Sequence, residues 1–74
     1  MFREANLTNR EQDVLQALLR GLSAKEIAYE LEVAPRTVEA YIERIKIKMR
    51  ARNKTQLIVL AVTAGMCARE EVAA

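Results

Sequence analysis

Residues 23–49 read Ser23-Ala24-Lys25-Glu26-Ile27-Ala28-Tyr29-Glu30-Leu31-Glu32-Val33-Ala34-Pro35-Arg36-Thr37-Val38-Glu39-Ala40-Tyr41-Ile42-Glu43-Arg44-Ile45-Lys46-Ile47-Lys48-Met49. Ser23 with Glu26 three residues on has the capping-box pattern of a helix start, in which hydroxyl and carboxylate each satisfy a free backbone amide. Ile27, Ala28 and Leu31 then give a short helix one apolar face. Glu32-Val33-Ala34 is a three-residue break, and Pro35 follows where the first turn of a helix needs no amide donor. Val38, Tyr41, Ile42, Ile45 and Met49 recur at helical spacing and predict a longer helix over about 35–50 with a narrow buried stripe. Two helices about a three-residue turn make a helix-turn-helix. Small Ala28 lets the helices approach, Val33 plugs the turn into the core, and Val38 anchors the underside of the second helix. The turn opens on Glu32, where many such motifs place Gly for its freedom at positive φ.

The same signals extend in both directions. Thr8 and Glu11 form another capping-box pair ahead of Val14, Leu15, Leu18 and Leu19, and Gly21 is placed to end that helix. Asn53 with Gln56 reads as a third capping box, opening a helix over about 54–64 that Gly65 would stop. The fold class is therefore all-α, with four helices. At 74 residues the chain is one domain, 1–74, with its core over about 6–66 and frayed ends at 1–6 and 68–74. Apolar residues make up 51% but aromatics only 4%, so Leu, Ile, Val and Ala must build the core. Two Gly and one Pro leave too little punctuation for an all-β fold.

Composition also removes functional classes. With no His and a single Cys, the chain lacks an imidazole base, a Cys/His metal set and any internal disulfide, so it reads as a non-enzyme with no metal or other cofactor. Cys67 reads as a small hydrophobe. No apolar run reaches the length of a membrane span, and the start Met1-Phe2-Arg3 lacks the apolar stretch of a secretion signal, so a cytoplasmic protein is expected.

The net charge of +2 hides a division along the chain. Residues 1–35 carry four basic side chains against six acidic, a net −2. Residues 36–54 carry seven (Arg36, Arg44, Lys46, Lys48, Arg50, Arg52, Lys54) against Glu39 and Glu43, a net +5. Such a concentration is the electrostatic footprint of phosphate binding, although a solvated charged helix face would look the same by charge alone.

Taken together, Leu7-Thr8-x-Arg10-Glu11-x-x-Val14-Leu15, Gly21-Leu22-Ser23-x-Lys25-Glu26-Ile27-Ala28, Leu31, Thr37-Val38-Glu39, Ile45, Lys48-Met49 and Asn53-Lys54-Thr55-Gln56 resemble the LuxR-type (FixJ/NarL/GerE-like) helix-turn-helix DNA-binding domain. The resemblance covers about residues 6–66, and Pro35-Arg36-Thr37-Val38-Glu39 draws it toward the FixJ-like response-regulator outputs. It implies a four-helix domain that lays its third helix in the major groove of promoter DNA and forms a homodimer on DNA through its fourth. It also implies control by an attached receiver or ligand-binding domain. The 74 residues contain neither, so an excised output domain or a stand-alone regulator without its own small-molecule ligand is expected. The chain departs from the family at Arg50, where Gly is usual, at Lys54, where Arg is usual, and at Ala34, where a Ser or Thr cap is usual.

On that reading the outward face of the third helix supplies the base contacts: Glu39, Ala40 and Glu43 to base edges, Arg36 and Arg44 to bases or phosphates. A carboxylate can accept from the cytosine amino group, and an alanine methyl can touch that of thymine. For Glu39 and Glu43 the plainer alternative is pairing with neighbouring cations on the helix surface. Thr37, Lys25, Lys46, Lys48, Asn53 and Lys54 form the expected phosphate set, and the amides left uncapped at Ala34 are expected to face a phosphate. Tyr41 is expected in the core. The fourth helix is apolar nearly all round, and Leu57, Ile58, Ala61 and Val62 are the expected dimer interface. RNA polymerase is a candidate further contact. Two competing readings are an interaction module that pairs with and inhibits a longer LuxR-type regulator, and a sigma-factor-like promoter-recognition segment.

Overall fold

A computed structural model of the chain describes residues 7–65. It contains four helices, α1 (Asn9–Leu19), α2 (Ala24–Leu31), α3 (Pro35–Met49) and α4 (Lys54–Thr63), and no strand among the described residues. Cys67 and the two chain ends lie outside that range. The α3 helix packs against each of the other three, and α1 also meets α2 and α4. The core comprises Val14, Leu15, Ala17 and Leu18 of α1, Ile27 and Ala28 of α2, Val38, Ile42, Ile45 and Met49 of α3, and Leu57 and Ala61 of α4. Val33 and Tyr41 are half-buried against it.

Both predicted N-terminal boxes form. The Glu11 amide donates to the Thr8 hydroxyl at 3.1 Å and the Thr8 amide to Glu11 Oε1 at 2.9 Å. Ser23 and Glu26 repeat this at 3.2 and 2.8 Å. The third is different: Asn53 accepts from the Gln56 amide at 2.7 Å, but Gln56 Oε1 reaches one residue further back, to the Arg52 amide at 2.6 Å. Gln56 thereby ties the start of α4 to the preceding turn.

The first three helices end alike. Leu22 donates to Ala17 O and Gly21 to Leu18 O after α1, Val33 to Ala28 O and Glu32 to Tyr29 O after α2, and Ala51 to Lys46 O and Arg50 to Ile47 O after α3. Each such end requires one residue in the left-handed region. Gly21 occupies it at φ 89°, but Glu32 (φ 60°) and Arg50 (φ 58°) do so with a Cβ. Left-handed backbone costs an L-residue about 1–2 kcal/mol, partly offset by the entropy a glycine loses on folding, about 0.5–1 kcal/mol. Glu32→Gly and Arg50→Gly are therefore each expected to stabilise the domain by about 0.5–1 kcal/mol. Thermal melts check this, and a lowered Tm for both variants would contradict it.

Candidate nucleic-acid interface

Because Val38, Ile42, Ile45 and Met49 face inward, the other side of α3 is left to solvent. Arg36, Glu39, Ala40, Glu43 and Arg44 are all exposed there. Four of these five, with Lys46 and Lys54, line a single open concavity of about 520 Å³ whose remaining wall is Ala24 and the edge of Ile42. The fold thus joins the starts of α2 and α4 to the outward face of α3, three segments that are separate in sequence.

The charges of the candidate residues are in different states. Among the described residues, Lys25, Arg36 and Lys54 carry no salt bridge, so their cationic heads are available to an anion. Lys46 instead donates to Glu43 at 2.7 Å, the pairing that is the plainer reading of Glu43. An i,i+3 pair on a helix surface is worth only a few tenths of a kcal/mol, and the Glu43 side chain is 64% exposed, so a phosphate or base edge can displace this one. Glu39 has no such partner among the described residues. Arg44 sets its guanidinium over the Tyr41 ring at 5.7 Å, a cation–π contact on the exposed side of α3. Thr37 is half-buried at the start of α3, and Asn53 is exposed with its carbonyl oxygen already holding the Gln56 amide.

Lys48 lies on a different side of the helix. Its ammonium donates to Glu11 Oε1 at 2.7 Å and so ties α3 to the start of α1. Glu11 is the buried charged residue of the core, 2% exposed. Burial alone would raise its pKa, but the hydrogen bond from Lys48, the Thr8 amide, the Lys48 charge and the Thr8 hydroxyl outweigh it and hold the carboxyl below its ordinary value.

The start of α3 leaves less open than its uncapped Ala34 implied. No side chain caps it, but the Thr37 and Val38 amides both reach Ala34 O, at 2.9 and 3.3 Å. With Pro35 lacking a donor, the Arg36 amide is what remains for an external acceptor.

The α4 surface corrects the sequence reading. Leu57 and Ala61 are fully buried against the domain's own core and cannot form a contact between copies. The exposed apolar face consists of Val59 and Val62, 54% and 57% exposed, beside half-buried Ile58. In a segment apolar at almost every position, nothing in the sequence marked which side would turn inward. Ile47 is exposed on the outward face of α3, where the helical spacing of the sequence puts it, seven residues after Ala40, but its residue type gave it no role among the site candidates.

A helix-turn-helix whose second helix turns a cation-framed face outward defines a DNA-binding domain. Residues 5–61 match the family described as bacterial regulatory proteins, luxR family. The chain is 41% identical over 69 residues to the transcriptional regulatory protein FixJ of Azorhizobium caulinodans, covering 93% of this chain and 33% of that protein. With FixJ of Bradyrhizobium diazoefficiens it shares 44% over 64 residues, covering 86% and 31%. The fold matches a chain in the crystal structure of the phage VqmA-DPO complex with a TM-score of 0.82 and 45% identity, covering 95% of this chain and 34% of the other. This chain belongs to the luxR family of bacterial regulatory proteins, and it spans about a third of the length of these relatives. No described helix is long and apolar enough to cross a membrane.

Proposed function

We propose that the chain binds specific double-stranded promoter sites in the cytoplasm as a homodimer and so regulates transcription. The observation that carries this is the concavity on α3, where base-contact candidates Arg36, Glu39, Ala40 and Glu43 lie beside Lys46 and Lys54. In this reading α3 enters the major groove, with Glu39, Ala40 and Glu43 toward base edges and Arg36 and Arg44 toward bases or phosphates. Lys25, Thr37, Lys46, Asn53 and Lys54 meet the flanking backbone, and Lys48, whose ammonium is held by Glu11 on another side of α3, leaves that set. Two copies meet through Val59, Val62 and Ile58, which sets half-sites about one helical turn apart. No cofactor or catalysis enters this scheme.

The test is selection of duplexes from random-sequence DNA, followed by titration at several salt concentrations. Two-fold symmetric sites, two protomers per site, and affinity falling steeply with salt are expected. One protomer per site at every concentration would remove the dimer. Val62→Asp, which changes an exposed position, should leave folding intact and weaken binding to a two-half-site duplex at least tenfold while sparing a single half-site. The same apolar face favours one second reading, in which the chain pairs with a longer relative and blocks it. Tight pairing through α4 without DNA affinity would select that reading.

A further inference from the structure

We propose that Ile47 is a specificity-determining residue that reads thymine methyl groups at the edge of the major groove, in addition to the five base-contact candidates already named. The inference deepens the DNA-binding reading and rests on it. Ile47 is 74% exposed on a helix whose other exposed residues are, apart from Pro35 and Ala40, charged. It stands four residues after Glu43 and seven after Ala40, so the three share one stripe of α3, continuous with the concavity that Ala40, Glu43 and Lys46 line. Neither packing nor propensity accounts for isoleucine there: it touches no core, and a β-branched residue is a weaker helix former than the Lys, Arg or Ala that an exposed position accepts. Among the described residues, the other exposed large apolar side chains lie elsewhere, Val59 and Val62 on α4 and Tyr29 on α2.

The occupant follows from chemistry. Base edges in the major groove offer donors, acceptors and one apolar group, the thymine methyl, which stands toward the backbone side of the groove. Ile47 lies about 10 Å beyond Ala40 along the helix, on the order of three base-pair steps, where a recognition helix begins to leave the base edges for the backbone. Lys46, which precedes it, lines the concavity, so a phosphate drawn to this end of α3 would bring a neighbouring thymine methyl against the isoleucine.

The experiment uses the full chain and a duplex recovered by selection from random DNA, resynthesised with each thymine in turn replaced by deoxyuridine, which removes only the methyl. For the wild type, loss of one particular methyl should weaken binding about fourfold, the effect of removing one methyl from an apolar contact. For Ile47→Ala the same replacement should change nothing, whereas Lys54→Ala should keep the fourfold effect. Equal methyl effects in wild type and Ile47→Ala would overturn the assignment. So would Ile47→Asn changing the oligomeric state of the DNA-free chain, which would give this face to a protein contact. Equal wild-type binding to the selected duplex and all its deoxyuridine variants would overturn the assignment too, whereas a selection that enriches no sequence would overturn the DNA reading itself. Thermal melts of Ile47→Ala matching the wild type exclude misfolding as the cause.

Discussion

Glu11→Ala should destabilise the domain by about 2–3 kcal/mol, roughly half of what a chain of this size has to lose. Two contributions combine. Loss of the carboxylate that closes the capping box costs about 1 kcal/mol, because the Thr8 amide loses its acceptor. Breaking the pair with Lys48 adds about 1–2 kcal/mol. That is less than the 3–5 kcal/mol of a fully enclosed pair, because the Lys48 side chain is 31% exposed and can turn its ammonium to water. Glu11→Gln keeps an acceptor for Thr8 and should cost less. The pair also sets a pH dependence. Since the folded protein holds the Glu11 carboxyl below the ordinary value of 4.5, its contribution is complete above that pH and is lost as pH falls through the folded value. Tm should therefore drop on acidification below about pH 4.5, and Glu11→Gln should flatten that drop. A variant with the wild-type Tm and the wild-type acid profile would contradict the assignment.

That pair marks where sequence reading stopped. Local signals act over three or four residues, and those were legible: Thr8 with Glu11, Ser23 with Glu26, the break at Glu32-Val33-Ala34, Pro35 at the start of α3, and Gly21 at the end of α1. Glu11 and Lys48 are 37 positions apart, and the sequence shows the first only as a capping-box carboxylate and the second only as a phosphate candidate, because their pairing arises when α1 packs against α3. The ends of α2 and α3 were ambiguous for another reason. A glycine advertises a left-handed residue, whereas Glu32 and Arg50 adopt the same backbone at a cost their side chains do not display. On α4 the difficulty was periodicity itself: Leu57 to Val62 is continuously apolar, so no stripe distinguished the core-facing pair Leu57 and Ala61 from the exposed Val59 and Val62. The outward face of α3 was easier to read, since the buried stripe of Val38, Ile42, Ile45 and Met49 left its position no choice. What the sequence could not show there was the company it keeps, Ala24 and Lys54 from two other helices, or which of its carboxylates is already paired.

The difference between paired and unpaired charges leads to the second large effect, on DNA. Lys25→Ala with Lys54→Ala should weaken binding about a hundredfold at 0.1 M salt, because each neutralised phosphate contact forfeits the release of roughly one counterion, worth nearly tenfold at that concentration. Both side chains are exposed and carry no salt bridge among the described residues, so neither substitution disturbs the fold. The loss should be uniform across sequences, and the slope of log affinity against log salt should flatten by about two units. Extrapolated to 1 M salt, the variant and wild-type lines should converge, because there the counterion contribution vanishes. Arg36→Ala provides the contrast. If its guanidinium meets a base edge, that variant loses about 1–3 kcal/mol of discrimination at a single base pair, and its line stays below the wild type at every salt concentration. If it meets phosphate, its line converges like those of the lysines. The salt axis thus separates backbone contacts from base contacts without a structure of the complex, and a Lys25/Lys54 double variant that keeps the wild-type slope would remove both residues from the phosphate set.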